Sequence, residues 1–279
     1  PTPGRPVHGG VKTAELRALG LTPEEVLDFS ASISPLGPPA GTWEALSRVD
    51  LAAYPDPQCL ELREGLSRHL SGSLPGSVPV ERILVGNGST EIIHLLARIF
   101  LSPPRPGTGN TAFLLAPTYG EYDGACRLAG AGTSCQDGAD RPGFRWDLAL
   151  AARHISRERP SLVFVCNPNN PTGVYLQHSE VEVLAEATSR AGGLLVVDEA
   201  YLAFVETPWD SQALLDHGGV VLLRSMTKDY ALTGLRLGFC LAPEDLTGRL
   251  AAFQPDWSVN GLAQAAGLAA LADGEYLPR

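Results

Sequence analysis

One lysine in this chain stands out by its rarity. Of 21 basic residues only Lys12 and Lys228 are lysine, and the remainder are arginine. A guanidinium stays protonated, whereas a desolvated amine can lose its proton and attack a carbonyl to form a Schiff base. Lys228 lies in "SMTKDYALTGLRLG", Ser225 to Gly238, with Ser225 three residues before it and Arg236 eight residues after. Composition alone accommodates an ordinary surface lysine equally well, so the neighbouring motifs must decide. Arg236 leads into the apolar run "LGFCLA", a poor place for a solvated guanidinium. A partly buried arginine wants an anion, and neither Asp229 nor Glu244 is an obvious one.

Three further clusters could do chemistry. "GNGSTE", Gly86 to Glu91, follows a strand-like run and opens a helix-like one. The amides of Gly88, Ser89 and Thr90 could therefore face an anion at the positive end of that helix, or Ser89 or Thr90 could simply cap it. "NPNNPTG", Asn167 to Gly173, is made of turn formers and reads as a rigid loop after the strand "LVFVC". In "VVDEAY", Asp198 and Glu199 end an apolar strand, where an acid can cap the next helix or meet a cationic group of a ligand.

Together, the phosphate-loop pattern, Asn-Pro-Thr-Gly, Asp-x-x-Tyr, Ser-x-x-Lys and an arginine eight residues on resemble the fold-type I pyridoxal-phosphate enzymes of the aspartate aminotransferase superfamily. The resemblance implies a role for each residue. Lys228 would bond the cofactor and carry the proton at the substrate's α carbon. Asp198 would face the pyridine nitrogen, Tyr201 and Asn170 the ring's phenolic oxygen, and Tyr119 would stack on the ring. Gly88, Ser89, Thr90, Ser225 and Arg236 would hold the cofactor phosphate. Tyr54, in "YPDP", matches a tyrosine that reaches the phosphate from a neighbouring subunit, which implies a homodimer with shared active sites.

Within the superfamily, "VHGG", "GLTPEEVLDFSASISPLGPP" and "WSVNGLAQAAG" resemble the threonine-phosphate decarboxylases of cobalamin biosynthesis, whose sister group is the histidinol-phosphate aminotransferases. The implied reaction is loss of CO2 from L-threonine O-3-phosphate, and the implied substrate contacts are His8, Ser32 and Asn170. Transamination of histidinol phosphate is the alternative. Where that family usually reads Asp-Phe-Ser-Ala-Asn-Ile-Asn-Pro, this chain has Ser32 and Ser34 in place of the two amides. The shorter hydroxyls leave a related phospho-amino acid open. A non-catalytic cofactor sensor is disfavoured by the joint presence of Lys228, Asp198, Tyr201, Asn170 and Arg236.

Such residues need a scaffold that brings strand ends together. From about Val80 short apolar β-rich runs alternate with amphipathic helical ones: "ERILVG", "TAFLLA", "SLVFVC", "LLVVDEA" and "VVLLRS" are the strands. That alternation predicts an α/β fold, a mostly parallel sheet covered by helices, with ligands at the carboxyl ends of the strands. "SLPGSVP" and "LSPPRPGTGN" read as connecting loops. Residues 1–40 are expected to be an N-terminal arm with part of a small domain, 41–245 the cofactor-binding large domain, and 246–279 a helical segment leading to a C-terminal small domain that the chain lacks. The carboxylate-binding arginine of the superfamily is expected beyond Arg279.

Composition sets the outer bounds. A net charge of −10 without a basic block argues against nucleic-acid or anionic-membrane partners. Five cysteines with no Cys-x-x-Cys pair read as buried thiols in a reducing cytoplasm, with neither disulfide nor metal site. No apolar run approaches a membrane span.

Overall fold

The computed structural model describes residues 9–71, 78–102 and 107–279. His8 lies outside them, as do most of "SLPGSVP" and the centre of "LSPPRPGTGN". Among the described residues seven strands form one sheet: β1 (Ile83–Asn87), β2 (Gly109–Ala116), β3 (Gly132–Asp137), β4 (Pro160–Cys166), β5 (Leu194–Asp198), β6 (Val220–Ser225) and β7 (Leu237–Leu241). Their order is β1-β7-β6-β5-β4-β2-β3. The run from β6 to β3 is parallel, and β7 lies antiparallel between β1 and β6.

Every residue of β4 and β5 is buried. Such unbroken apolar runs follow from helices covering both faces of a parallel sheet, which leaves no solvent side to alternate toward. One face carries α4 (Gly88–Leu101), α5 (Glu121–Leu128) and α8 (Glu244–Ala251), centred on Ile92, Leu96, Tyr122 and Leu250. The other carries α3 (Leu60–Ser71), α6 (Leu148–Glu158), α7 (His178–Ala191) and α9 (Gly261–Ala272), centred on Leu62, Ile155, Leu184 and Ala266. The result is a three-layer α/β/α arrangement.

Two strands escaped the sequence reading. β3, "GTSCQD", is a polar edge strand whose residues are exposed or half-buried, so it carries no apolar run to detect. β7 was legible only as the apolar run after Arg236, because its five residues sit between a tight turn and a helix. The short helices α1 (Thr13–Leu19) and α2 (Gly41–Ser47) precede α3.

Candidate functional site

The carboxyl ends of β4, β5 and β6 and the amino end of α4 enclose a cleft of about 570 Å³. Ser32, Ser89, Thr90, Tyr119, Asn170, Asp198, Tyr201, Ser225, Lys228 and Arg236 all line it. Residues read from six separate stretches thus converge on one site.

Asp198 ends β5 at the floor of the cleft, 3% exposed. Its Oδ2 accepts a hydrogen bond from the Tyr122 hydroxyl at 2.8 Å, and its Oδ1 accepts one from the Ala200 amide at 3.1 Å. Burial raises its pKa to about 6, with the Tyr122 and Ala200 bonds pulling the other way. Tyr122 is fully buried, stacks on Phe164 with centroids 4.9 Å apart, and meets Tyr119 edge-on at 5.5 Å. One ring therefore braces both the acid on the floor and the aromatic wall beside it. Sequence reasoning missed Tyr122; its position three residues after Tyr119, on the same side of the turn opening α5, was the available signal.

Half-buried Lys228 follows the end of β6. Its pKa is lowered, first by desolvation and then by the Arg236 guanidinium, with Asp198 opposing. Both main causes favour the neutral amine that a nucleophilic lysine requires. Tyr201 is raised to about 12, chiefly by burial, so it stays a phenol.

At the amino end of α4 Asn87 is the N-cap and makes no side-chain cap bond. The plain-cap reading of Ser89 and Thr90 therefore fails: both sit inside the first turn, and it is the Glu91 carboxylate that accepts the Asn87 amide, at 2.8 Å. Gly88 has φ +72°, and a Cβ there would stand 2.8 Å from Arg236 Nη2. A Cβ on Gly238 would drive into the Ser89 amide nitrogen. Two missing side chains thus let β7 and the guanidinium close on the helix end, leaving amides, the buried Ser225 hydroxyl and Arg236 around one anion-sized space. The Ser225 and Thr227 hydroxyls lie 2.6 Å apart, and Thr90 Oγ1 is 3.5 Å from the Tyr119 hydroxyl.

The "NPNNPTG" loop is held from within. Asn167 pairs both ways with the Leu176 backbone, at 3.1 and 2.7 Å, and Asn169 donates to the Pro117 carbonyl at 2.9 Å. That leaves the Asn170 side chain to face the cleft, while its backbone N–H donates to Cys166 Sγ at 3.4 Å.

Two expectations need correction. Arg236 is exposed at the cleft rim, in a left-handed turn with φ 58°, because the strand begins only at Leu237. Among the described residues no carboxylate pairs with it. Ser34, grouped with Ser32 by sequence, does not line the cleft. Tyr54 is 80% exposed, stacked on Trp257 at 4.5 Å, and is not part of the cleft of its own chain.

Residues 24–277 match the model of the family described as aminotransferase class I and II. The chain belongs to that family. It is 35% identical over 274 residues to the threonine-phosphate decarboxylase of Salmonella typhimurium, covering 96% of this chain and 71% of the relative. It is 34% identical over 282 residues to the histidinol-phosphate aminotransferase of Symbiobacterium thermophilum, covering 99% and 71%. The histidinol-phosphate aminotransferase of Sinorhizobium meliloti, solved with pyridoxal-5'-phosphate, superposes with a TM-score of 0.74 at 27% identity, over 89% of this chain and 64% of that one.

Aminotransferases of class I and II are pyridoxal-phosphate enzymes, and the cleft fits that cofactor. The space that a Cβ at Gly88 would fill matches a phosphate's need for close amides, and a buried carboxyl whose two hydrogen bonds leave acceptor capacity on both oxygens suits a protonated ring nitrogen.

Proposed function

We propose that this family member is a decarboxylase of a small phosphorylated amino acid, L-threonine O-3-phosphate, releasing CO2 and (R)-1-amino-2-propanol phosphate. The observation that carries this reading is the placement of the amino-terminal segment. Gly9 and Ser30 to Ser32 line the cleft mouth, and the Gly10 amide donates to Ser30 Oγ at 2.7 Å. This is the arm whose sequence resembles the decarboxylases, and it adds hydroxyls and amides where a substrate phosphate can be met. The relatives named as decarboxylases support the reading; those named as aminotransferases, at almost equal identity, support the alternative.

When bound, the cofactor supplies an electron sink for the bond that breaks at the substrate's α carbon. Asp198, ionised, holds the ring nitrogen protonated, and Tyr122 holds Asp198. Tyr201 and Asn170 would hydrogen-bond the ring's oxygen edge, and Tyr119 would wall one face. Gly88 to Thr90, Ser225 and Arg236 would hold the cofactor phosphate as a charge-assisted cup. Lys228 would be the residue that anchors the cofactor, and its Nζ would carry the proton at the substrate's α carbon. Residues 30–32 would orient the substrate over the cofactor, and that orientation would separate decarboxylation from transamination; His8, outside the described residues, is proposed as a further substrate contact on the resemblance alone. Tyr54 acts in the cleft of a second copy.

The test uses full-length protein loaded with pyridoxal phosphate, given L-threonine O-3-phosphate in one vessel and histidinol phosphate with 2-oxoglutarate in another. CO2 from the first is the expected result. Glutamate from the second, with no CO2 from the first, replaces the decarboxylase with the aminotransferase.

A further inference from the structure

Residues 30–32 line the cleft mouth, and the segment that continues from them to Gly37 is anchored by a residue from far along the chain. Ser34 N–H donates to the Lys228 carbonyl at 2.9 Å. The Tyr276 hydroxyl lies 2.6 Å from the Gly37 carbonyl and 3.1 Å from Ser34 Oγ. The phenol proton is directed at the Gly37 carbonyl, with Ser34 Oγ as its second, longer acceptor. Ser34 Oγ also accepts the Leu36 amide at 3.4 Å. Tyr276 is buried, and its ring stacks on Tyr230 with centroids 5.5 Å apart and planes 19° from parallel. Tyr230 is two residues after Lys228. A closed circuit results: Lys228 carbonyl, Ser34 amide, Ser34 hydroxyl, Tyr276 hydroxyl, Tyr276 ring, Tyr230 ring, and back along the chain to Lys228.

We infer that Tyr276 is a positioning residue for the substrate segment, fixing Ser34 and through it the placement of Ser32 over the cleft in register with Lys228. It touches neither cofactor cup nor floor. The Ser34 hydroxyl is committed to this scaffold, so of the two serines that replace amides only Ser32 faces the ligand. The substrate half of the inference rests on the reading of Ser32 as a substrate contact; the anchoring half rests on geometry alone.

Tyr276→Phe keeps the ring stack and removes the hydroxyl, and Ser34→Ala removes its partner. In full-length protein without cofactor, amide hydrogen exchange over residues 30–37 is expected to rise about tenfold in either variant, the scale of one lost hydrogen bond. Cofactor affinity should stay within about twofold, because no cup or floor residue is altered. With cofactor, KM for the substrate that turns over should rise about tenfold while kcat holds within about twofold, and the double variant should be no worse than Tyr276→Phe. Unchanged exchange over residues 30–37 overturns the anchor. Raised exchange with unchanged KM overturns the substrate role. If the unaltered protein turns over neither phosphorylated substrate, the proposed function fails by itself, and the exchange rates still decide the anchor.

Discussion

At the level of single residues, the carboxyl at the floor of the cleft is held by a buried tyrosine that donates to it. Tyr122 is raised well above the usual phenol range, first by burial and then by Asp198, so it acts as a hydrogen-bond donor at every working pH. Tyr122→Phe leaves Asp198 with the Ala200 amide alone. A charge-assisted bond of this kind is worth about 1.5–3 kcal/mol, so cofactor affinity should fall by roughly ten- to a hundredfold, read by equilibrium titration of absorbance. A variant binding cofactor as tightly as the parent would show that Asp198 needs no help. The same acid gives a signature in pH. Its carboxyl is raised to about 6 in the folded chain against about 3.9 unfolded. In cofactor-free protein its neutral form therefore contributes roughly 3 kcal/mol that is fully present below about pH 4 and lost as the pH rises through 6. Asp229, raised to about 7 mainly by burial, acts in the same direction. Thermal melts of cofactor-free protein between pH 4 and 8 should show this decline, and Asp198→Asn should flatten it.

At the scale of elements, the decisive feature is how closely β7 and the turn before it approach the amino end of α4. Glycine is required there twice, at Gly88 for its left-handed φ and at Gly238 for contact with the Ser89 amide. Gly88→Ala should cost about 1–2 kcal/mol of stability for the backbone alone. It should also push the Arg236 guanidinium off the helix end, so cofactor retention should fall by a larger factor than stability explains. Dialysis against phosphate buffer followed by measurement of remaining cofactor checks this; a Gly88→Ala protein that keeps its cofactor would contradict the cup. The sequence showed β4, β5 and β6 because strands buried on both faces read as unbroken apolar runs. It hid β3, whose edge position leaves polar residues, and it misplaced Arg236 by treating the run after it as already begun at the arginine.

Over the whole molecule, apolar side chains remain in the open on the segments before α3: Phe29 is 94% exposed, Leu51 and Tyr54 80% each. Tyr54 stacked on exposed Trp257 forms a rigid aromatic pair outside its own cleft. We expect a dimer by analytical ultracentrifugation of the full-length protein, with Tyr54→Phe weakening cofactor binding by several-fold without changing the mass. A monomer that binds cofactor at full affinity would remove Tyr54 from the site. Among the described residues no helix is long and apolar enough to cross a membrane.

What the sequence determined by itself was the set of rare chemical groups and the strand ends that carry them. Lys228, the Asn167 to Gly173 loop and Asp198 stood out because an isolated lysine, a turn-rich loop and an acid ending an apolar strand are uncommon, and a parallel sheet gathers such ends on one side; Asn170, Tyr201 and Ser225 were singled out by the resemblance to pyridoxal-phosphate enzymes. The tertiary structure alone decided the pairings. Tyr122 and Asp198 are 76 residues apart, and Ser34 and Tyr276 are 242 apart. Tyrosine is an ordinary core residue, and nothing in its local pattern distinguishes one that packs from one that also donates to an acid across the sheet. Likewise two serines two residues apart look equivalent in sequence, yet one lines the cleft and the other is bonded to the scaffold. Such distinctions arise from which long-range contacts close, and those are set by the packing of the whole fold.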